Sequence, residues 1–308
     1  PRDLIDWEEI YRRLPLINAL DSIGDRPFYR EVIRHTRFDE FWSSYSMKER
    51  YPEVETPAYF ITGWYDNLLH EGFKCFRGWR KRARSAAARQ RSRLLVGPWT
   101  HTAIGDAAPF GDIDFGSQAG MDIPAEHLRW YDQRLKGLDT GIDEEPPIRI
   151  FVMGANQWRS EQEWPLERTE YTRFYLHSSG RANSSSGDGA LTTEAPEVES
   201  FDSYSYDPEN PVPTLGGQSM FADNTGPRDR RPIERRDDVL VYSTAPLTRD
   251  LEVTGPVELV VYAASSAPDT DFTATLVDVH PVGAAIHICE GIVRARFRQS
   301  YERPTLIE

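Results

Sequence analysis

The chain has 308 residues, enough for two domains, and its 39% hydrophobic content with 8 Trp, 14 Tyr and 14 Phe can fill a sizeable core. A net charge of −13 excludes a phosphate-binding surface of the kind nucleic acids need. No run of 18 apolar residues is present, so no membrane-spanning helix is expected. Cys75 and Cys289 form neither a disulfide framework nor a metal-ligand spacing and read as small packed hydrophobes.

Residues 3–50 are helical in pattern. Ile5, Trp7, Ile10, Tyr11, Leu14 and Leu16 make one apolar face; Tyr29, Val32, Ile33, Phe38, Phe41 and Trp42 make a second, and the turn Gly24-Asp25-Arg26-Pro27 separates them. These helices pack on a neighbour or form a lid, because they lead into the next segment.

That segment, 57–101, organises the chain. Residues 58–62 (AYFIT) are an apolar run followed by Gly63-Trp64-Tyr65-Asp66; residues 92–96 (SRLLV) are another, followed by Gly97-Pro98-Trp99-Thr100-His101. Between them, over 68–91, Leu68, Leu69, Phe73, Phe76 and Trp79 recur at helical spacing. This predicts a βαβ unit with two parallel strands and a right-handed crossover. The Arg-rich stretch 77–93 falls on the crossover helix and reads as its solvated face. Ligands of open parallel sheets bind beyond the carboxyl ends of the strands, where Asp66 and His101 both fall. An acid that orients a histidine base needs that proximity.

The 102–122 segment is too long for an ordinary connection and is expected to shape a pocket; its Asp106, Asp112, Asp114 and Asp122 either supply anionic charge there or are solvated. Pro124 opens a helix on which Leu128, Tyr131 and Leu135 share a face and Gly137 is the C-cap. Residues 148–153 (IRIFVM) are the last strand of the parallel sheet. From Tyr171 onward, short β-branched or alternating runs at 172–176, 239–242, 257–263, 272–279 and 291–297, with turn residues between them, predict an antiparallel sandwich or jelly roll.

A triad also needs a nucleophile. No strand is followed by Gly-x-Ser-x-Gly: Gly116-Ser117-Gln118-Ala119-Gly120 has its serine one place early, and Gly217-Gln218-Ser219-Met220-Phe221 lacks the second glycine. The order acid-then-histidine matches the last two members of an α/β-hydrolase triad, so the serine is expected before Pro1. A metal site built from Asp66, His70 and His101, or a calcium site at Asp269, Asp271 and Asp278, lacks the required spacing; no metal or cofactor is expected.

Together these residues resemble the family of cocaine esterase, α-amino acid ester hydrolases and X-Pro dipeptidyl-peptidases. The resemblance runs through Gly63–Asp66, Gly97–His101, the helix Leu128-Arg129-Trp130-Tyr131-Asp132 to Gly137, Val152-Met153-Gly154-Ala155-Asn156 with Trp158-Arg159 and Trp164-Pro165, and three later segments beginning at Asp237, Glu252 and Asp269. It implies a helical cap remnant at 1–50, the second half of an α/β-hydrolase core at 51–153 and a jelly roll, incomplete, at 154–308, with the chain cut at both ends. It implies serine-hydrolase acyl transfer with Asp66 and His101 as triad members, and an ester, amide or short-peptide substrate. Trp64, Tyr65 and Trp99 are expected near the site, as pocket walls or as plain packing. The chain is expected to be inactive alone, soluble, with cytoplasm favoured and a homo-oligomer allowed. The rival reading is a jelly-roll binding or oligomerisation module with a degenerate hydrolase part.

Overall fold

The computed structural model describes residues 5–220 and 224–308; the predicted helix start at Asp3 and Leu4, and Phe221, lie outside them. The described residues fall into two compact units, one made of the stretch up to Arg50 with Val261–Thr273 and Ile292–Glu308, the other of Tyr51–Val260 with Ala274–Gly291.

The first unit is built from short helices rather than two long ones: α1 (Trp7–Arg12), α2 (Pro27–Arg34) and α3 (Glu40–Tyr45). Asp6 caps α1 by accepting from Glu9 N at 2.9 Å, and Asp39 caps α3 by accepting from Phe41 N at 3.1 Å. Of the apolar face predicted for α1, only Ile10 is buried, whereas Trp7 and Tyr11 are exposed. His35 closes α2, bridging Glu31 and Asp39 and stacking on Phe41. In the same unit Asp269 binds Arg296 and Asp271 binds Arg294, so guanidinium groups hold two of the three carboxylates that the calcium reading invoked.

The second unit holds a four-stranded sheet in the order β1 (Tyr59–Tyr65), β2 (Arg93–Thr100), β3 (Ile148–Val152), β4 (Gln157–Glu161). The first three strands are parallel and β4 returns antiparallel to β3. Every residue of β2 is buried, as expected of a parallel strand covered on both faces. Leu94 and Val96 join Phe76, Ile148 and Ile150 on one side; Leu95, Trp99 and Phe151 join Tyr65, Phe110 and Phe115 on the other. β1 is the sheet's edge, with no ladder partner on its outer side among the described residues.

The crossover is two helices, α4 (Leu69–Arg82) and α5 (Ala86–Arg91), not one. The break comes at Ser85, whose side chain caps α5 by accepting from Ala88 N at 2.9 Å and donates to Glu55 O. Glu71 in the first turn of α4 and Arg80, Lys81 and Arg82 in its last turn suit the helix dipole. The Arg-rich stretch is only partly a solvated face. Arg93 lies in β2, 6% exposed, and donates to Ile142 O at 2.8 Å.

α6 (Ile123–Tyr131) starts at Asp122, which accepts from Ala125 N at 2.9 Å, and runs into a π-helical turn, Asp132–Lys136, closed by Gly137 at φ +69°. The face shared by Leu128, Tyr131 and Leu135 is exposed, and Trp130 is buried, with the Arg134 guanidinium 4.4 Å over its ring. β4 was not anticipated; Gly154 and Asn156, both at positive φ, turn the chain into it.

The β-rich remainder has two antiparallel-type pairs: β5 (Tyr175–His177) with β6 (Ala190–Thr192), and β7 (Asp271–Val279) with β8 (Ala285–Arg294) across the 280–284 turn. α7 (Arg231–Glu234) is a single turn. Among the described residues, 239–242 make one isolated bridge, Leu240 with Asn183, and 257–263 form no ladder, with Val260 and Tyr262 in solvent. Their alternation supplies faces, but a strand also requires a lateral partner, which the pattern cannot supply.

Candidate active site

The backbone at the ends of β1 and β2 is set by two glycines. Gly63 stands opposite Gly97, and the register then shifts, so that Tyr65 stands opposite Thr100. Two residues of β2, Pro98 and Trp99, thus face Trp64 alone, which is a bulge. A Cβ on Gly63 would lie 2.1 Å from Trp99 O, and one on Gly97 would lie 2.4 Å from the Trp99 ring. Only glycine admits this close approach. Beyond the bulge both strands leave the sheet, β1 into Asp66 and β2 into His101.

Those two side chains meet. His101 Nδ1 lies 3.0 Å from Asp66 Oδ1. Asp66 is 4% exposed, and its Oδ1 also accepts from Leu68 N at 2.9 Å while Oδ2 accepts from Thr62 Oγ1 at 3.0 Å. The carboxylate is therefore held by strand, turn and histidine at once. A ring that donates through Nδ1 leaves Nε2 as the acceptor. Among the described residues nothing hydrogen-bonds Nε2, and the His101 side chain is 34% exposed.

His101 borders a cleft of about 380 Å³. One wall is the outer edge of β1 at Phe60, Ile61 and Thr62; the other is one face of α4 with its N-terminal flank, Leu68, Glu71, Gly72 and Cys75; Ile104 lies beside His101. The arrangement is a histidine base, oriented by a buried acid, at the mouth of a mostly apolar cleft.

Trp64, Tyr65 and Trp99 do not line that cleft. Trp64 donates to Phe151 O at 2.7 Å and packs on Phe73 and Trp164. Tyr65, 2% exposed, donates through its hydroxyl to His287 O at 3.0 Å. Trp99 is fully buried and its indole N–H is shared by Asp106 O and Ala119 O. Of the two roles the sequence allowed them, packing is the one their positions fit. The 102–122 segment is pinned by that indole and by buried Phe110 and Phe115. Three of its four acids serve the fold: Asp112 binds Arg228 and Asp229 N, Asp114 accepts from Gly116 N, and Asp122 caps α6. His70, considered as a metal ligand, does not border the cleft. Thr62 is a site residue that the sequence reading missed; a buried threonine four residues before the acid is a weak signal, since most such hydroxyls only satisfy nearby backbone.

Comparison with known proteins places this geometry in context. Residues 6–103 match the family profile described as X-Pro dipeptidyl-peptidase (S15 family), and residues 140–308 match the X-Pro dipeptidyl-peptidase C-terminal non-catalytic domain. The chain belongs to the cocaine esterase/X-Pro dipeptidyl-peptidase family of hydrolases. It is 45% identical over 282 residues to cocaine esterase of Rhodococcus sp. (strain MB1 Bresler), covering 90% of this chain and 48% of that protein. A solved aminopeptidase from a marine sediment archaeon, Thaumarchaeota archaeon, superposes with a TM-score of 0.72 at 25% identity, over 94% of this chain and 48% of that one. An α-amino acid ester hydrolase superposes with a TM-score of 0.74 at 22% identity, over 97% and 52%. The chain thus spans about half the length of the family members it matches. The fold class follows from these likenesses: part of an α/β-hydrolase sheet followed by a jelly-roll C-terminal domain. No helix among the described residues is long and apolar enough to cross a membrane.

Proposed function

We propose that this chain carries the acid–base half of a serine-hydrolase site. The observation that supports it is the 3.0 Å pairing of His101 Nδ1 with a buried, triply hydrogen-bonded Asp66 at neighbouring strand ends, with Nε2 beside the cleft and unpartnered among the described residues. Asp66 fixes the imidazole tautomer and stabilises the imidazolium that forms. His101 Nε2 takes the proton of a serine hydroxyl as that oxygen attacks the substrate carbonyl, then delivers it to the leaving alcohol or amine; water repeats the cycle on the acyl-enzyme. The serine and the oxyanion donors come from polypeptide outside these 308 residues, since the printed sequence has no strand followed by a nucleophile elbow. In this reading 1–50 is part of a cap, 51–153 the hydrolase half-core and 154–308 the jelly roll, and the reaction uses no metal or cofactor.

Relatives named as an esterase, an aminopeptidase and an α-amino acid ester hydrolase point to small esters, amides or short peptides as the substrate class. The test is a panel of simple esters, amino esters and Xaa-Pro amides, run on the parent polypeptide and on residues 1–308 alone. The expected result is turnover of at least one class by the parent and less than about a thousandth of it by residues 1–308, because losing one oxyanion donor already costs ~10²–10³ and covalent catalysis is lost as well. Turnover by residues 1–308 that disappears in His101→Ala would overturn the division of the site. A parent that hydrolyses none of the three classes would favour the binding-module reading.

A further inference from the structure

The two residues that precede Asp66 are both gripped by distant parts of the chain. Trp64 O accepts from Gln218 Nε2 at 3.2 Å, and Tyr65 Oη donates to His287 O at 3.0 Å. Both partners lie within the stretch that matches the family's C-terminal non-catalytic domain. Backbone and packing hold the grip itself. His287 N donates to Arg228 O at 3.0 Å, and Gln218 N donates to Glu290 Oε1 at 3.2 Å. Gly217, at φ +79°, packs so closely that a Cβ there would lie 2.7 Å from His287 Cε1 and 2.3 Å from Glu290 Oε1. The His287 ring is fully buried, edge-on to Tyr65 with centroids 6.4 Å apart, and neither ring nitrogen has a hydrogen-bond partner among the described residues. Burial and the nearby Arg230 charge hold its pKa down at about 4, so at neutral pH it is an uncharged ring against which Tyr65 rests.

We propose that Tyr65, Gln218 and His287 form a clamp on the end of β1 that positions the Asp66 carboxylate against His101, so that the domain named non-catalytic supplies positioning residues to the site. The inference rests on the hydrolase reading above. The clamp acts where the ladder between β1 and β2 is irregular, since the register shifts between Gly63 and Tyr65. Without these two grips the peptide from Trp64 to Asp66 can shift, and a displacement of about 1 Å at a catalytic group can cost ~10² in rate. Sequence position makes the coupling direct, since Tyr65 and Asp66 are neighbours and one peptide plane joins them.

The test uses Tyr65→Phe, which keeps the ring and its burial and removes only the hydroxyl, and Gln218→Ala, which removes the second grip at a half-exposed position. Both are made in the parent polypeptide, with two readouts: steady-state kinetics, and the NMR signal of the hydrogen-bonded His101 Nδ1 proton. Tyr65→Phe is expected to lower kcat about tenfold with KM within about twofold, and to shift or broaden that proton signal. Gln218→Ala is expected to do the same to a smaller extent, and the double variant to lose less than the product of the two, as for residues in one network. Unchanged kcat and an unchanged proton signal in both variants would overturn the proposal, as would a lowered melting temperature with a wild-type signal and wild-type kcat per folded molecule, which marks a merely structural contact. The readouts separate the two claims. A wild-type parent without hydrolytic turnover sinks the hydrolase reading while the proton signal still reports on the clamp. Normal wild-type turnover with variants indistinguishable from it sinks the clamp alone.

Discussion

Asp66→Ala is expected to lower the parent polypeptide's kcat about 10,000-fold, roughly 5.5 kcal/mol of transition-state stabilisation, with a much smaller change in KM. Two losses combine. The His101 ring loses the acceptor 3.0 Å from Nδ1 that fixes its tautomer, and the imidazolium formed during proton transfer loses its counter-charge. The charge matters more here than on a surface because Asp66 is 4% exposed and weakly screened. Thr62 Oγ1 and Leu68 N lose their acceptor as well, so stability falls too, and the comparison is made per folded molecule. Steady-state kinetics with a calibrated folded fraction checks it. A fall of less than about tenfold would remove Asp66 from the mechanism.

The second large effect is on the fold that aims the pair. Gly63→Ala is expected to destabilise the protein by about 3 kcal/mol or more, read as a lowered midpoint in urea denaturation. The added methyl would sit 2.1 Å from Trp99 O and 2.6 Å from Trp99 C, both backbone atoms of the neighbouring strand, so no side-chain rotation relieves the clash. β1 and β2 must part at the bulge, and Asp66 and His101 move with them. Gly72→Ala reverses the sign. Its Cβ would meet Thr62 Cγ2 at 3.5 Å, an ordinary contact, and alanine in a helix interior gains up to about 1 kcal/mol over glycine. Equal effects at the two positions would show that close approach at the bulge is not what glycine provides.

Local pattern explains what was legible in the sequence. The strand–helix–strand unit and the meeting of Asp66 with His101 follow from two apolar runs, a helical repeat and the handedness of a parallel crossover, all within about 45 residues. The helix break at Ser85 was written in the chain too, as a capping serine, but apolar periodicity carried the reading across it. Trp64, Tyr65 and Trp99 were harder, because aromatic residues beside a strand-end acid or histidine look alike whether they wall a pocket or fill a core. The bulge between Gly63 and Tyr65 then changes which way the chain faces. The grips on Trp64 and Tyr65 come from residues 154 and 222 positions away, and no local pattern encodes them. The strands expected at 239–242 and 257–263 fail for the same reason, since alternation specifies a face and pairing depends on what lies alongside.

The most direct measurement is serine-directed labelling of the parent polypeptide with a reactive organophosphonate, the adduct located by mass spectrometry and its rate compared with that in His101→Ala. One adduct is expected, on a serine outside the 308 residues, forming at least a thousandfold more slowly without the imidazole. An adduct on Ser117, Ser219 or any other serine of this chain, or a labelling rate that His101→Ala leaves unchanged, would contradict it.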